Sequence, residues 1–467
     1  MDMPSVELAV DEIKHGGMSA VDLVERSLAA IERNNSELNA FVHIDRAGAL
    51  RSAANVDSAV AREEPIGPLA GIPFGVKDLE DVAGMPTVKG SRWFADRGKV
   101  PGDDIHVARL RAAGAIPVGK TAVPEFGASA YTTSEVHGVT RNPWDSSRTP
   151  GGSSGGSAAA VSSGMVPFCT ASDGGGSIRT PAAFTGLPGL RPVYGRVPTL
   201  GVTHVAQNAV VFALATTVAD TALLLDICAG PDRRDRTSMP APVVPYRELI
   251  DSLAVSGLRV ALSLDLGFVP VEAEVAALVM AGYQDLLAAA DLSPAPVQIV
   301  LEDFFDVYAK IEGVDRWTDL PDSLWPDRAA ELSPALRSGW ESGARARLPQ
   351  LAAVYTARRK LEQQVAELFA RFDVLVTPSA SFPAFTAEGP VPAEIEGRQV
   401  QPFAGVAFPI LASLCNLPAM SVPVGLTTSG LPVGMQIIAG QHREDICLRL
   451  AWLLERARPW PPHAPAT

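Results

Sequence analysis

Two serines set in two glycine-rich turns, with a run of very small residues between them, constrain this chain more than any other feature. The first turn is Pro150-Gly151-Gly152-Ser153-Ser154-Gly155-Gly156-Ser157. The second, Asp173-Gly174-Gly175-Gly176-Ser177-Ile178-Arg179, places Ser177 twenty-four residues after Ser153. Glycine admits φ > 0 and lets a backbone come close to another group. Turns of this kind aim consecutive N–H groups at a developing anion. The linking segment, residues 157–165, reads as a small-residue helix suited to tight core packing. A serine beside such N–H groups is a candidate acyl-transfer nucleophile.

Around this segment the chain alternates helix and strand patterns. Pro68–Asp78 reads as a turn leading into a short buried strand, Ile105–Ala113 as a helix stopped by Gly114, and Ala115–Val118 as a strand. Further strands are expected at Arg259–Leu264, Val374–Thr377, Ala419–Val424 and Pro432–Ile438, with helices near 217–229, 271–290, 350–371 and 443–456. Such alternation favours a layered α/β architecture, a single large domain with a central mixed, mostly buried β-sheet flanked by helices. No repeat or low-complexity linker divides residues 1–467. The least regular stretch, 300–345, carries Trp317, Trp325 and Trp340 among Pro and Asp residues and reads as a surface excursion.

Composition narrows the function. A net charge of −13 argues against a nucleic-acid surface, which needs clustered Lys and Arg. The 47% hydrophobic content implies a large core. Cys169, Cys228, Cys415 and Cys447 are scattered without a C-x-x-C pair, which suits a reducing compartment and disfavours a metal site. With no leader-like start and no apolar stretch of spanning length, the expectation is a cytoplasmic protein without membrane attachment, acting on small molecules.

Two motifs invite other readings. Gly114-Ala115-Ile116-Pro117-Val118-Gly119-Lys120-Thr121 satisfies the phosphate-loop pattern, but here a helix precedes the glycines and a strand follows, the reverse of what phosphate binding requires. Gly151–Gly155 fits the nucleophile elbow of serine hydrolases, yet a turn-rich loop and not a strand runs into it. The later histidines His204, His442 and His463 read as surface or packing residues. A base other than histidine is therefore needed. Burial lowers a lysine pKa, and the neutral amine is a competent base. Lys77 follows the apolar run Ile72, Phe74 and Val76, whereas Lys14, Lys310 and Lys360 lie on amphipathic helices. The other reading of Lys77 is a strand-end lysine paired with Asp78.

Gly67–Asp78 resembles the lysine-bearing segment of the amidase signature family. So do Gly119-Lys120-Thr121 with Glu125-Phe126, Thr140–Asp145, the Gly151–Ser157 loop, Asp173–Arg179 and Gly430–Ile438. The resemblance spans nearly the whole chain apart from about 230–350, with a signature core at about 65–205. It implies a Ser–Ser–Lys triad: Ser177 as nucleophile, Ser153 as a bridging serine on a cis peptide, Lys77 as base. It also implies an oxyanion hole from the N–H groups of Gly174, Gly175, Gly176 and Ser177, with no cofactor or metal. The implied activity is hydrolysis of a carboxamide or anilide bond, extending to esters and carbamates, with a homodimer as the family-level expectation.

Five residues in three places depart from the pattern of the family or of its amidotransferase subunits. Gly174 stands where relatives carry Thr or a branched residue, which implies a looser oxyanion loop. Gly127, Ala128 and Ser129 stand where bulkier groups line the acyl site, which implies a roomier substrate pocket. Thr180 follows the Ile-Arg pair where glutaminase subunits of tRNA-dependent amidotransferases carry Gln, which disfavours that alternative. The three excursion tryptophans fit either a substrate channel or core packing.

Overall fold

The run Ile72-Pro73-Phe74-Gly75-Val76 lacks polar alternation, the pattern of a strand covered on both faces. In the computed structural model, which describes residues 3–200, 206–318, 324–401 and 403–465, it forms a strand buried along its whole length. The strands that position the site, in chain order, are β1 (Phe41–Ile44), β2 (Pro73–Lys77), β3 (Ile116–Thr121), β4 (Phe168–Asp173), β5 (Gly189–Arg191) and β6 (Val210–Ala215). They are followed by β7 (Arg259–Leu262), β8 (Ser293–Pro294), β9 (Val374–Pro378), β10 (Ala419–Leu426) and β11 (Pro432–Ala439).

These strands form mixed sheets. One has the order β1-β3-β2-β4-β6, the other β8-β7-β9-β11-β10-β5. In the first, β2 runs parallel to both neighbours, and β1 and β6 close the edges antiparallel. One cluster of buried apolar side chains runs through both, from Phe74 and Phe168 to Met420 and Ile437. The α/β expectation holds, with the sheet divided into two hydrogen-bonded sets.

The parallel pairing of β2 with β4 lasts two residues, Phe74 with Phe168 and Gly75 with Cys169. Beyond them the strands part. The Lys77 N–H is satisfied by the Thr170 hydroxyl at 2.9 Å instead of a main-chain carbonyl. Into the gap comes α1 (Gly155–Ser162), buried throughout, which the small residues of the sequence allow. It starts two residues before the expected 157. Its Ser157 hydroxyl donates to Thr170 O at 2.8 Å, and the Ser154 hydroxyl just ahead of it donates to Ser172 O at 3.2 Å. The second serine turn leads into α2 (Arg179–Thr185), also buried.

Gly119 and Lys120 lie inside β3, which extends three residues past the expected end to Thr121, so no helix follows the phosphate-loop pattern. The helix α3 (Ala273–Ala290) is long and apolar enough to cross a membrane by length and composition. It lies on the second sheet, with Val275, Val279, Gly282 and Leu286 buried and Gly282 against Val424 and Met435.

The excursion differs from expectation. Among the described residues of 300–345 are two α-helices, α4 (Phe305–Thr318) and α5 (Pro334–Ala344), and a 3-10 turn at Ala329–Glu331. Pro334 occupies the first helical turn, where its missing N–H costs nothing.

Candidate active site

Lys77 is the last residue of β2 and has no exposed surface. Its ammonium nitrogen reaches the gap between β2 and β4. There it lies 2.9 Å from Ser153 Oγ, 2.7 Å from Ser154 Oγ, 2.8 Å from Ser172 Oγ and 3.4 Å from Ser172 O. Every contact is an uncharged oxygen, and no carboxylate stands within ion-pairing distance among the described residues. Burial pushes Lys77 from its ordinary value of 10.5 down to about 7, against the upward pull of Glu80 and Asp173. A large share of this amine is neutral at neutral pH. The alternative reading, Lys77 paired with Asp78, does not describe this geometry, because Asp78 faces Lys120 at 3.3 Å.

Ser153 is buried and follows a cis Gly152–Ser153 peptide. Ser177 is half-buried in the second turn. Its carbonyl accepts from the Ser154 N–H at 3.2 Å, so the two serine loops run side by side. Its hydroxyl makes no hydrogen bond to Ser153 within 3.5 Å; hydrogen bonds of this kind often tighten only in the complex with substrate.

The Ser177 loop is held from beneath. Asp173 accepts from the N–H of Gly176 at 2.7 Å and of Ile178 at 3.1 Å. Arg179, fully buried, grips the same carboxylate at both ends, Nε to Oδ2 at 2.9 Å and Nη2 to Oδ1 at 2.7 Å. Its other nitrogen donates to Pro409 O and Gln436 Oε1, both at 2.6 Å. Burial raises the Asp173 carboxyl, but Arg179 and Arg191 outweigh that and hold it at about 2. The Gly176 N–H is thereby committed to Asp173. Of the four expected oxyanion donors, Gly174, Gly175 and Ser177 remain.

The Gly127-Ala128-Ser129 segment lies where the resemblance puts it, beside the serines, but Gly127 opens no space. A Cβ there would lie 2.8 Å from Leu79 Cδ1 and 3.2 Å from Ser153 Oγ. The backbone from Ser129 to Tyr131 crosses just above Gly152. The expectation of a roomier pocket therefore draws no support from Gly127: the space of its missing side chain is taken up by Leu79 and Ser153. Ala128 and Ser129 are half-buried.

One residue earlier, Phe126 has φ +52°, in the left-handed region. For a bulky residue this costs on the order of 1–3 kcal/mol. Three rings surround it: Trp93 at 5.7 Å, Phe94 at 5.9 Å and Trp340 at 5.3 Å between centroids, all edge-on. Such pairs contribute about 0.5–1.5 kcal/mol each, enough together to offset the backbone cost. Trp340 comes from α5, so core packing, and not a channel wall, describes it; Trp325 packs on it at 6.1 Å.

The structure thus brings Lys77 and Ser153 together with the Ser177 loop alongside, and it adds supports that the sequence did not indicate. Ser154 and Ser172 share the lysine, and Asp173, Arg179 and Gln436 brace the loop. Of the later histidines, His442 is exposed, His463 lies in the C-terminal tail, and His204 falls outside the described residues. No group of His, Cys, Asp and Glu able to hold a metal is found among the described residues.

Comparison with known proteins gives the family and the fold. The family model described as Amidase matches residues 22–448. The chain is 33% identical to an acylamidase of Rhodococcus erythropolis, covering 99% of this chain and 97% of that one. It is 34% identical to a glutamyl-tRNA(Gln) amidotransferase subunit of Synechococcus sp. (strain RCC307), covering 96% of each. Among solved structures it is similar to a bacterial aryl acylamidase of the amidase signature family, with a TM-score of 0.90 at 27% identity over 98% of this chain and 97% of that one. It is also similar to a 6-aminohexanoate cyclic dimer hydrolase, with a TM-score of 0.87 at 27% identity over the same shares.

Proposed function

Because this chain belongs to the amidase signature family and is a hydrolase of non-peptide carbon–nitrogen bonds, we propose that it cleaves a carboxamide or anilide through an acyl-Ser177 intermediate. Neutral Lys77 accepts the Ser153 hydroxyl proton while Ser153 takes that of Ser177. Ser177 Oγ then bonds to the substrate carbonyl carbon, whose π electrons move onto oxygen. The N–H groups of Gly174, Gly175 and Ser177 face that oxyanion; one such donor is commonly worth about 10²–10³ in rate. Collapse breaks the C–N bond, and the amine leaves with the proton returned along the same relay. Water repeats the sequence on the ester and releases the acid. The observation that carries this reading is Lys77: fully buried, 2.9 Å from Ser153, and among hydroxyls instead of carboxylates.

The test is covalent. Wild-type protein takes up a tagged fluorophosphonate at one site, and Ser177→Ala takes up none and loses turnover across a panel of aliphatic amides, anilides, esters and carbamates. Undiminished labelling of Ser177→Ala overturns the reading. A second reading, a glutaminase subunit of an amidotransferase, draws on the full-length similarity to such subunits. It requires glutamine hydrolysis that rises when partner subunits are added; a flat response excludes it.

A further inference from the structure

The loop 125–131 touches the bridging serine on one side and the excursion on the other. On the inner side Gly127 meets Ser153, and the Ser129–Tyr131 backbone lies over Gly152. On the outer side the aromatic cage encloses Phe126, with Trp340 of α5 stacked on Trp93 at 5.1 Å. One clasp fixes the excursion to this loop and a second fixes it to Trp93, the ring beside Phe126. Glu125 accepts from the Ser333 N–H at 2.9 Å and from the Ser91 hydroxyl at 2.8 Å. The Trp93 indole donates to Arg328 O at 2.9 Å. Phe126 itself donates from its N–H to Lys89 O at 2.9 Å. A phenylalanine in the left-handed region persists only where its surroundings over-determine it, and such outliers cluster at working sites.

We propose that the Trp93–Phe126–Trp340 cage is a positioning device for Ser153, through which the 324–344 segment of the excursion sets the speed of acylation. With Phe126 held at its positive φ, Gly127 turns its Cβ-less face onto Ser153 and limits where that hydroxyl can sit between Lys77 and Ser177. A relay serine tolerates little displacement, since a shift of about 1 Å can cost on the order of 10²-fold in rate. The excursion then acts on chemistry through contact with the core, and not as a wall that selects substrate. This rests on the reading of Ser153 as the proton relay.

The experiment follows labelling of Ser177 by a tagged fluorophosphonate, separating the maximal rate from half-saturation and counting only folded protein. Trp340→Leu and Gly127→Ala are expected to lower the maximal rate by about 10–10² with half-saturation within twofold. Trp340→Phe, which keeps a ring in the cage, is expected to remain within about threefold of wild type. A Trp340→Leu protein that labels at full maximal rate overturns the proposal, as does one that loses only probe affinity. A Trp340→Phe variant as slow as Trp340→Leu also overturns it. If Trp340→Leu does not fold, Gly127→Ala decides by the same criterion. Full-speed labelling of Ser153→Ala removes the premise itself; slow Ser153→Ala beside full-speed Trp340→Leu removes only the cage.

Discussion

Lys77 and Lys120 are both fully buried lysines on neighbouring parallel strands, and they do opposite things. In register, Lys77 faces Thr121 and Lys120 faces Val76, so the two side chains leave the sheet on opposite sides. Lys120 finds the Asp78 carboxylate at 3.3 Å, Glu80 O at 2.7 Å and Thr87 Oγ1 at 2.8 Å. Lys77 finds three serine hydroxyls and a carbonyl. Desolvation lowers both, and at Lys120 the adjacent Asp78 pushes back. A buried lysine given a carboxylate is held as an ion pair; one given only hydroxyls is free to serve as a base. Burial alone does not separate them, and the partner does.

Substitutions that exchange these roles test the contrast. The largest effect is expected for Lys77→Ala, a loss of about 10²–10⁴ in turnover per folded molecule. Lys120→Met is expected to keep turnover within a few-fold yet to lose roughly 3–5 kcal/mol in urea unfolding, because the buried Asp78 carboxylate loses its lysine and keeps only the Val88 N–H and His137 at 3.9 Å. Adding Asp78→Asn to Lys120→Met should return much of that stability. A folded Lys120→Met protein without activity breaks the comparison.

The pH dependence sharpens it. Protonated Lys77 cannot accept a proton, so kcat/KM should rise tenfold per pH unit on the acid side and level off near pH 7. Stability carries the same group with a definite sign. The folded value is lowered, so between about pH 7 and 10.5 the unfolded chain binds the proton that the folded chain does not. Unfolding free energy from this group therefore rises with pH across that window. Lys77→Met should flatten the rise and, below pH 7, gain about 1–2 kcal/mol over wild type. An unchanged slope would assign the neutral-pH titration elsewhere.

The smallest effect concerns the oxyanion loop. A Cβ at Gly174 meets only Ala209 Cβ and Glu312 Oε1 at 3.5 Å, ordinary contacts, so Gly174→Ala should stay within about threefold of wild-type kcat. At Gly175 the same atom runs into the Tyr308 hydroxyl of α4, and Gly175→Ala should cost more than tenfold. Equal effects would mean that the loop is looser than its contacts with α4 suggest.

Sequence was informative where chemistry is local. The two serine turns, the apolar strand ending in Lys77 and the small-residue helix each occupy a few consecutive residues, and each could be read from pattern. The supports could not. Gln436 reaches Arg179 across 257 positions, and no periodicity announces such a contact. Which serines Lys77 touches depends on where β2 and β4 separate, a matter of sheet geometry. The excursion was misread because proline and tryptophan were taken as signs of irregularity, when Pro334 starts a helix and Trp340 fills a core. The glycine at 127 was read as room for substrate because a sequence shows that a side chain is missing and not what occupies its place.

The early parting of β2 and β4 leaves one margin of β4 without a neighbouring strand inside the protein, where unmet carbonyls are costly. Side chains stand in for the absent strand. Ser157 takes Thr170 O, Ser154 takes Ser172 O, and Lys77 shares the latter at 3.4 Å. The serine-rich turn thus completes a sheet as well as surrounding the Lys77 amine. The scaffold contacts fall to Ser154 and Ser157 and the contact with Lys77 to Ser153 and Ser154, so Ser154 is the position of this turn at which the two duties meet.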